Sequence, residues 1–503
     1  MTLPFPAGRR SKEEVLAEMR AARDHDVRWR SGRVFGLIYH AGDEIEDLLQ
    51  EAFTLFFAEN GLNPAAFPSL RKFETEVVAM SASLLGGDDQ VAGTMTSGGT
   101  ESLLLAVKTA RDWARAHRPE TLREAPEMVV PLTGHPALDK AAHYFGVKAV
   151  HVPVGDDFRA VPDAMAAAIT PNTILMVGSA PSYPQGVVDP IPELAAIAQA
   201  KGLLFHVDAC VGGFILPFAR ALGHPVPEFD FRVPGVTSLS ADLHKYGYAA
   251  KGASVILYRT RELRRFQFFI YTDWPGGIYP SPALSGTRPG GPIAAAWAIL
   301  NHLGWEGYLE ITGRVLEATK KLQEGIAAIP GIRVLGKPVA SVFAIGSDGV
   351  DIYEVADELA LRGWYFDRQH FPASLHVTVS CAHVAVVDAF LADLASSVAA
   401  VRKPSLRKAG NKLVVRGANA AVRLLPERWV SALMKRASGL VGAPSRWSGV
   451  GSGGGGLPGR TAPMYGMIGT LPNRGDLREL VTDLIDGMTC YQAPETNPLT
   501  RER

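Results

Sequence analysis

The chain has 503 residues, 47% of them hydrophobic and 20% charged, which suits a soluble globular protein of two or three domains or one large α/β unit with extra lobes. Lys+Arg and Asp+Glu both number 51, so no global basic field points to nucleic acid. Cys210, Cys381 and Cys490 lie far apart, which argues against a disulfide framework or a zinc site and leads us to expect a reducing, cytoplasmic setting with no metal. The N-terminus becomes charged too early for a secretory segment, and no charge-free apolar stretch approaches membrane-spanning length.

Residues 11–80 read as a helical N-terminal arm. "KEEVLAEMRAARDHD" and "DEIEDLLQEAFTLFFAENG" place apolar residues at three-to-four spacing, with Gly61 as the expected stop. From about residue 91 to 260 the pattern changes. "MVVPL", "KAVHVPV", "TILMVGSA", "LLFHVDA", "GVTSLSA" and "ASVILYR" predict buried strands, several of them separated by helices such as "SLLLAVKTARDWARAH" and "PELAAIAQAKG". This alternation predicts an α/β fold with a mainly parallel sheet covered on both faces, whose ligands sit beyond the carboxyl ends of the strands.

After the connection "WPGGIYPSPALSGTRPGG" a long helix is expected, and then a smaller α+β lobe beginning near "GIRVLGKPVASVFAIGS". The expected organisation is an arm over 1–85, a large domain over 86–305 and a small C-terminal domain over 306–503. Residues 402–460 stand apart, with twelve Lys/Arg against the single acid Glu427, a net of +11 that leaves −11 elsewhere. This insertion ends in "SGVGSGGGGLPG", a mobile-loop composition.

Three constellations carry chemistry. In "TMTSGGTES" a Gly-rich turn opens an apolar helix and can cradle a phosphate; the same pattern also suits a plain turn in which Ser97 or Thr100 caps the helix. In "HVDACVGGF" Asp208 ends a buried strand, where a carboxylate calls for a cationic partner or for backbone amides. In "SLSADLHKYGYAAKG" Lys245 follows a strand and a polar turn. Partial desolvation there is expected to weaken its ammonium form and make it a nucleophile able to form a Schiff base. A phosphate cradle, an acid for a pyridinium nitrogen and a Schiff-base lysine, in this order, match the contacts that pyridoxal 5'-phosphate requires.

The sequence resembles the sphingosine 1-phosphate lyases, within the group II pyridoxal-phosphate-dependent decarboxylases. "YHAGDE", "FPSLRKFETEVVAM", "GTMTSGGTES", "HVDACVGGF", "SLSADLHKYGYAAKG", "SGTRPGG" and "MYGMIGTLPNRG" carry the likeness. The resemblance implies the fold-type I, aspartate aminotransferase-like architecture and a homodimer with shared active sites. It further implies that Lys245 holds the cofactor covalently, Asp208 holds the pyridinium proton and His135 stacks on the ring. Gly99, Thr100 and His244 would bind the phosphate, with Ser240 a further hydroxyl at the site. Gly286 and Thr287 would approach from the partner subunit. Tyr39 and Lys251 match residues expected to act in catalysis and substrate binding.

The reaction so implied is retro-aldol cleavage of a long-chain-base phosphate or similar amine to an aldehyde and an amino-alcohol phosphate. Amino-acid decarboxylation is the alternative, and a cofactor-binding scaffold without turnover a third. One departure bears on substrate: the lyases typically show Asn-Pro-Leu-His-Pro, whereas "NGLNPAAFPSLRK" has Asn63 at the histidine position, and asparagine carries neither proton nor charge. Gln185 likewise stands where a histidine is common. Within 402–460, "KLVVRGANAAVRLLPERWVSALMKRASGL" reads either as a peripheral membrane contact or as a helical layer with a solvated basic face.

Overall fold

The computed structural model describes residues 4–119 and 124–403, with isolated helical positions between 478 and 489. The basic insertion from 404 onward, its Gly-rich stretch and "MYGMIGTLPNRG" therefore lie outside the described residues. In chain order the elements are α1 (Lys12–Arg23), α2 (Asp43–Leu55), α3 (Pro68–Leu84), β1 (Ala92–Thr96), α4 (Gly99–His117), β2 (Glu127–Pro131), α5 (Ala137–Phe145), β3 (Lys148–Val152), α6 (Pro162–Ala167), β4 (Thr173–Ser179), α7 (Ile191–Ala200), β5 (Leu204–Asp208), α8 (Leu216–Ala221), β6 (Ser238–Ala241) and β7 (Ser254–Tyr258). They continue as α9 (Arg261–Arg265), β8 (Phe269–Trp274), β9 (Gly277–Ser281), α10 (Gly290–Ala327), β10 (Ile332–Val334), β11 (Val342–Ser347), α11 (Ile352–Ala360), β12 (Asp367–Gln369), β13 (Ser374–Thr378) and α12 (Val387–Arg402).

Two compact units emerge. The larger comprises Arg30–Asp348 with Leu375–Ala392, and the other comprises Met1–Trp29, Gly349–Ser374 and Asp393–Arg503. The larger unit is built on a seven-stranded sheet in the order β1-β7-β6-β5-β4-β2-β3. Only β7 runs against its neighbours, pairing antiparallel with β1 and β6, while β6, β5, β4, β2 and β3 are mutually parallel. Strands β2, β4 and β5 are buried along their whole length, as their unbroken apolar runs require when helices cover both faces. The Gly pair after Asp208 is a close-approach device: a Cβ on Gly213 would lie 2.5 Å from Ala241 Cβ, so only glycine lets the turn after β5 lie against the end of β6.

A smaller antiparallel set, β10-β11-β13, completes this unit, with Ala344 opposite His376 and Val342 opposite Thr378. In the other unit α11 is capped by Asp351, whose side chain accepts from the Tyr353 and Glu354 amides. Arg368 there donates to Asp357 at 2.6 Å, and Trp364 Nε1 donates to Asp393 at 2.8 Å. The segment Cys381–Arg402 is long and apolar enough to cross a membrane by composition alone; 28% of it is buried, including Phe390, Leu394 and Val398 at four-residue spacing.

The structure departs from the sequence expectations at three places. Helix α2 stops at Leu55, and Gly61 is not its cap: the Gly61 amide donates to the Arg288 carbonyl, and Asn60 bridges Pro289. Strand β1 occupies residues expected only as the lead-in to a turn. The Pro/Gly-rich connection carries β9, which closes a hairpin with β8 just before it, and the Phe269, Ile270, Trp274 and Ile278 side chains of that hairpin are exposed.

Candidate active site

The carboxyl ends of the sheet strands frame the site. Strand β1 delivers the turn Ser97-Gly98 to the start of α4. There Glu101, a buried carboxylate, accepts from Ser97 N at 2.7 Å and Ser97 Oγ at 2.6 Å, while its other oxygen accepts from Leu284 N at 2.8 Å. A hydroxyl chain, Thr96 to Ser102 at 2.7 Å and Ser102 to Ser254 at 2.9 Å, ties β1, α4 and β7 together beneath the turn. The N-cap is Gly98, and no side chain caps the helix, so neither Ser97 nor Thr100 plays the capping part. The first-turn amides of a nineteen-residue helix are left to an anion. A Cβ on Gly99 would meet both Asp242 carboxylate oxygens at 2.7 and 2.8 Å, and one on Gly98 would lie 3.2 Å from His244 Cε1. The glycines are what let this turn approach the "DLHK" segment.

Asp208 ends β5 with 7% exposure and accepts Cys210 N on one oxygen at 3.1 Å. Two residues earlier on the same face, His206 is fully buried between Ser238 Oγ at 2.9 Å and Ser240 Oγ at 3.3 Å. Burial lowers its pKa to about 4 against the opposing charge of Asp208, which keeps the ring neutral. Ser240 also accepts the Cys210 thiol at 3.2 Å. It therefore does not line the cavity as expected but buttresses the floor, because its position on β6 faces His206.

The opening of "SADLHKYGY" resolves into separate tasks. Asp242, 2% exposed, meets Lys245 Nζ at 2.9 Å and His244 Nε2 at 3.7 Å. Burial disfavours the Lys245 ammonium, but Asp242 outweighs it and holds the pKa above the ordinary value. This corrects the expectation that desolvation would weaken the ammonium: the i−3 carboxylate, unremarked in the sequence, decides the sign. His244 Nδ1 accepts from Ala253 N at 3.3 Å, which leaves the proton on Nε2 facing Asp242 and the Gly turn, and burial lowers its pKa to about 4. The tyrosines are anchors. Tyr246 Oη donates to Val379 O at 2.8 Å, and Tyr308 Oη fixes Gly247 O at 2.7 Å.

Lys251 donates to His244 O at 3.3 Å, and its Nζ sits 5.2 Å from the Tyr39 ring centroid. Although the residue keeps contact with solvent, burial of its charged end and then the like charge of Lys245 lower its pKa to about 8. Tyr39 packs edge-on against Tyr246 at 4.9 Å. Burial raises its phenol, with Lys245 and a hydrogen bond to Thr378 opposing. His135 accepts Ala137 N on Nδ1 at 3.1 Å, so its Nε2 carries the proton. Its ring lies 6.4 Å from Tyr183, which in turn stacks on buried His376 at 3.9 Å.

A cavity of about 310 Å³ has Gly98, Gly99 and Thr100 on one side, His135 and Tyr183 on another, and Asp208, His244 and Lys245 between; Tyr39 and Lys251 are not among its lining residues and reach the site through the charge of Lys245 and the Lys251 bond to His244 O. Asn63 is not among its lining residues. Its Oδ1 accepts the Ala65 and Ala66 amides at 3.0 and 3.2 Å, shaping its own turn. Gly286 and Thr287 do not line this cavity either, and Thr287 Oγ1 lies 3.5 Å from Asn60 Nδ2. Gln185 is buried away from the cavity wall. Sequence reasoning missed Glu101, Asp242, Cys210, Tyr183 and His376. Only Asp242 carried a local signal, three residues before a lysine.

The pyridoxal-dependent decarboxylase conserved domain matches residues 9–340. The sphingosine-1-phosphate lyase of Oryza sativa subsp. japonica is 42% identical over 481 residues, spanning 94% of this chain and 79% of that protein. The chain belongs to this family. Among solved structures, the sphingosine-1-phosphate lyase of Burkholderia pseudomallei aligns with a TM-score of 0.76 and 41% identity over 82% of this chain and 96% of that one. A probable L-aspartate decarboxylase of Pyrococcus furiosus is 33% identical over 362 residues, 72% of this chain and 94% of that protein.

As a member of the pyridoxal-dependent decarboxylases, in their sphingosine-1-phosphate lyase branch, this protein is a pyridoxal-phosphate-dependent lyase of fold-type I. The residues present fit the cofactor. Uncapped α4 amides and the His244 Nε2–H suit its phosphate, the open Asp208 oxygen suits the ring nitrogen, and Lys245 stands within the same cavity. The Gly98–Gly99 turn leaves space that a Cβ would fill.

Proposed function

We propose that this chain cleaves a phosphorylated long-chain base, or a similar phosphorylated amino alcohol, to an aldehyde and an amino-alcohol phosphate. The observation that carries the reading is the Tyr39–Lys251 pair beside Lys245, because decarboxylation has no need of a base for a hydroxyl proton. When bound, pyridoxal phosphate supplies the sink for electrons released by breaking a bond at the substrate's α carbon. Asp208 would hold the proton of the ring nitrogen and His135 would stand over the ring, both from the wall of the same cavity. Lys251, neutral in a substantial fraction near pH 8, takes the proton of the β-hydroxyl as the Cα–Cβ bond breaks and the β carbon becomes a carbonyl. Tyr39, held as a neutral phenol, donates to that oxygen. The proton then ends on Cα, so no external acid or oxidant is consumed.

We further propose a cytoplasmic homodimer in which Gly286 and Thr287 reach the partner's site. The exposed apolar hairpin β8–β9, next to these residues in the chain, supports an interface there. Amino-acid decarboxylation remains the second reading. Asn63 favours it, since its oxygen is committed to its own turn and no imidazole stands at that position.

Product analysis with a phosphorylated long-chain base and with a panel of amino acids separates the two: aldehyde release is expected, and carbon dioxide release instead would overturn the lyase reading. Lys251→Arg keeps a cation but cannot act as a base near neutrality. Its kcat should fall by roughly 10²–10⁴ with KM little changed, and the pH limb near about 8 should vanish. A raised KM with kcat intact would mean that Lys251 only binds the substrate. Asn63→His should raise turnover of the phosphorylated substrate while lowering stability by about 1 kcal/mol, through loss of the two turn hydrogen bonds, as read by urea unfolding.

A further inference from the structure

A second cavity, of about 380 Å³, opens between α3, β1 and α9 and shares no lining residue with the cofactor site. Four guanidinium groups, Arg71, Arg261, Arg264 and Arg288, line it against the single carboxylate Glu74. That carboxylate is already committed. Glu74 Oε1 takes Arg288 Nη1 at 2.5 Å and Met95 N at 3.2 Å, and Arg288 Nη2 donates to Gly61 O at 2.8 Å. Arg264 Nη2 donates to the Thr94 hydroxyl at 3.1 Å, but its buried Nε has no acceptor, and the Arg71 and Arg261 side chains have no partner among the described residues. Burial, reinforced by Arg261 and Arg288, weakens the Arg264 cation, and only Glu74 and Tyr258 oppose this.

A part-buried guanidinium such as Arg264, with an unmet buried donor, is costly unless an acceptor enters, and the exposed Arg71 and Arg261 line the same cavity. The surplus of positive charge exceeds what one carboxylate ligand would neutralise, and guanidinium forks match the oxygens of a phosphate bidentately. We propose that this cavity is a second anion site, separate from the cofactor's, that takes a phosphate dianion, free or carried on a small organic group.

The test is calorimetric titration of inorganic phosphate into the full chain already saturated with pyridoxal phosphate, so that the cofactor's own phosphate position is filled. Saturable binding at one site per chain is expected. It should weaken by roughly tenfold or more in Arg71→Gln/Arg261→Gln, whose side chains are exposed and spare the core, and stay unchanged in Lys251→Ala. Methyl phosphate titrated in parallel, which lacks the amine of the proposed product, distinguishes a phosphate ester from free phosphate, and tighter binding of either one fits the site. Absence of saturable binding, unchanged affinity in the double variant, or loss of binding in Lys251→Ala would overturn the site. Equal affinity for glutarate would overturn its assignment to phosphate.

Discussion

Lys245→Ala is expected to lose the yellow absorbance of the bound cofactor and to lower turnover by about 10⁴-fold or more, because the proposed point of covalent attachment is gone. The variant has a second consequence, set by Asp242. That carboxylate is 2% exposed, and one of its oxygens already lacks a hydrogen-bond partner, so removing the ammonium 2.9 Å away leaves a buried charge uncompensated. In the cofactor-free protein a loss of about 3–5 kcal/mol of stability follows. Lys245→Ala/Asp242→Asn should restore the urea midpoint without restoring activity. Retention of the yellow chromophore in Lys245→Ala would remove this lysine from the cofactor, whereas an unchanged urea midpoint would leave attachment standing and discount the Asp242 pairing.

Asp208→Asn should lower kcat by about 10³, equivalent to roughly 4 kcal/mol of transition-state stabilisation, with a smaller change in cofactor affinity. Asparagine can still accept Cys210 N through its amide oxygen, so the fold of the turn survives, but it offers no charge to hold a ring proton. His206 sharpens the expectation. With its pKa near about 4 and its nitrogens engaged by Ser238 and Ser240, it supplies no cation to substitute for, or compete with, a ring proton at Asp208. Equal kcat values for the aspartate and asparagine forms across pH 6 to 9 would place the protonating group elsewhere.

Much of this site was legible because its parts lie where sheet topology makes them predictable. The six runs read as strands are strands, Asp208 is the last residue of β5 and Lys245 follows β6, and β5 and β6 are adjacent and parallel. Other parts were not legible for definable reasons. Strand β1 is short and mixes Gly and Thr, so it lacks an apolar run. It is a strand because β7 pairs with all five of its residues. In the β8–β9 hairpin only β9 lies among prolines and glycines, and the exposed apolar side chains of both strands gave no alternation against a core. Glu101 looked like an ordinary first-turn acid, yet its two oxygens join the Ser97–Gly98 turn to Leu284, nearly two hundred residues on.

The sequence alone determined the cofactor chemistry, since a Gly turn before a helix, an acid ending a buried strand and a lysine after a polar turn occur together in one order along an alternating β/α segment. Tertiary structure decided the protonation states and the division of labour. Whether Lys245 is charged depends on how closely the fold presses Asp242 against it, and whether Lys251 is a base depends on how far its ammonium is stripped of water beside a like charge. The fold also turned Ser240 inward to His206 and committed Asn63 to its own turn, because charge, burial and direction are properties of a side chain's neighbours in space and not of its neighbours in the chain.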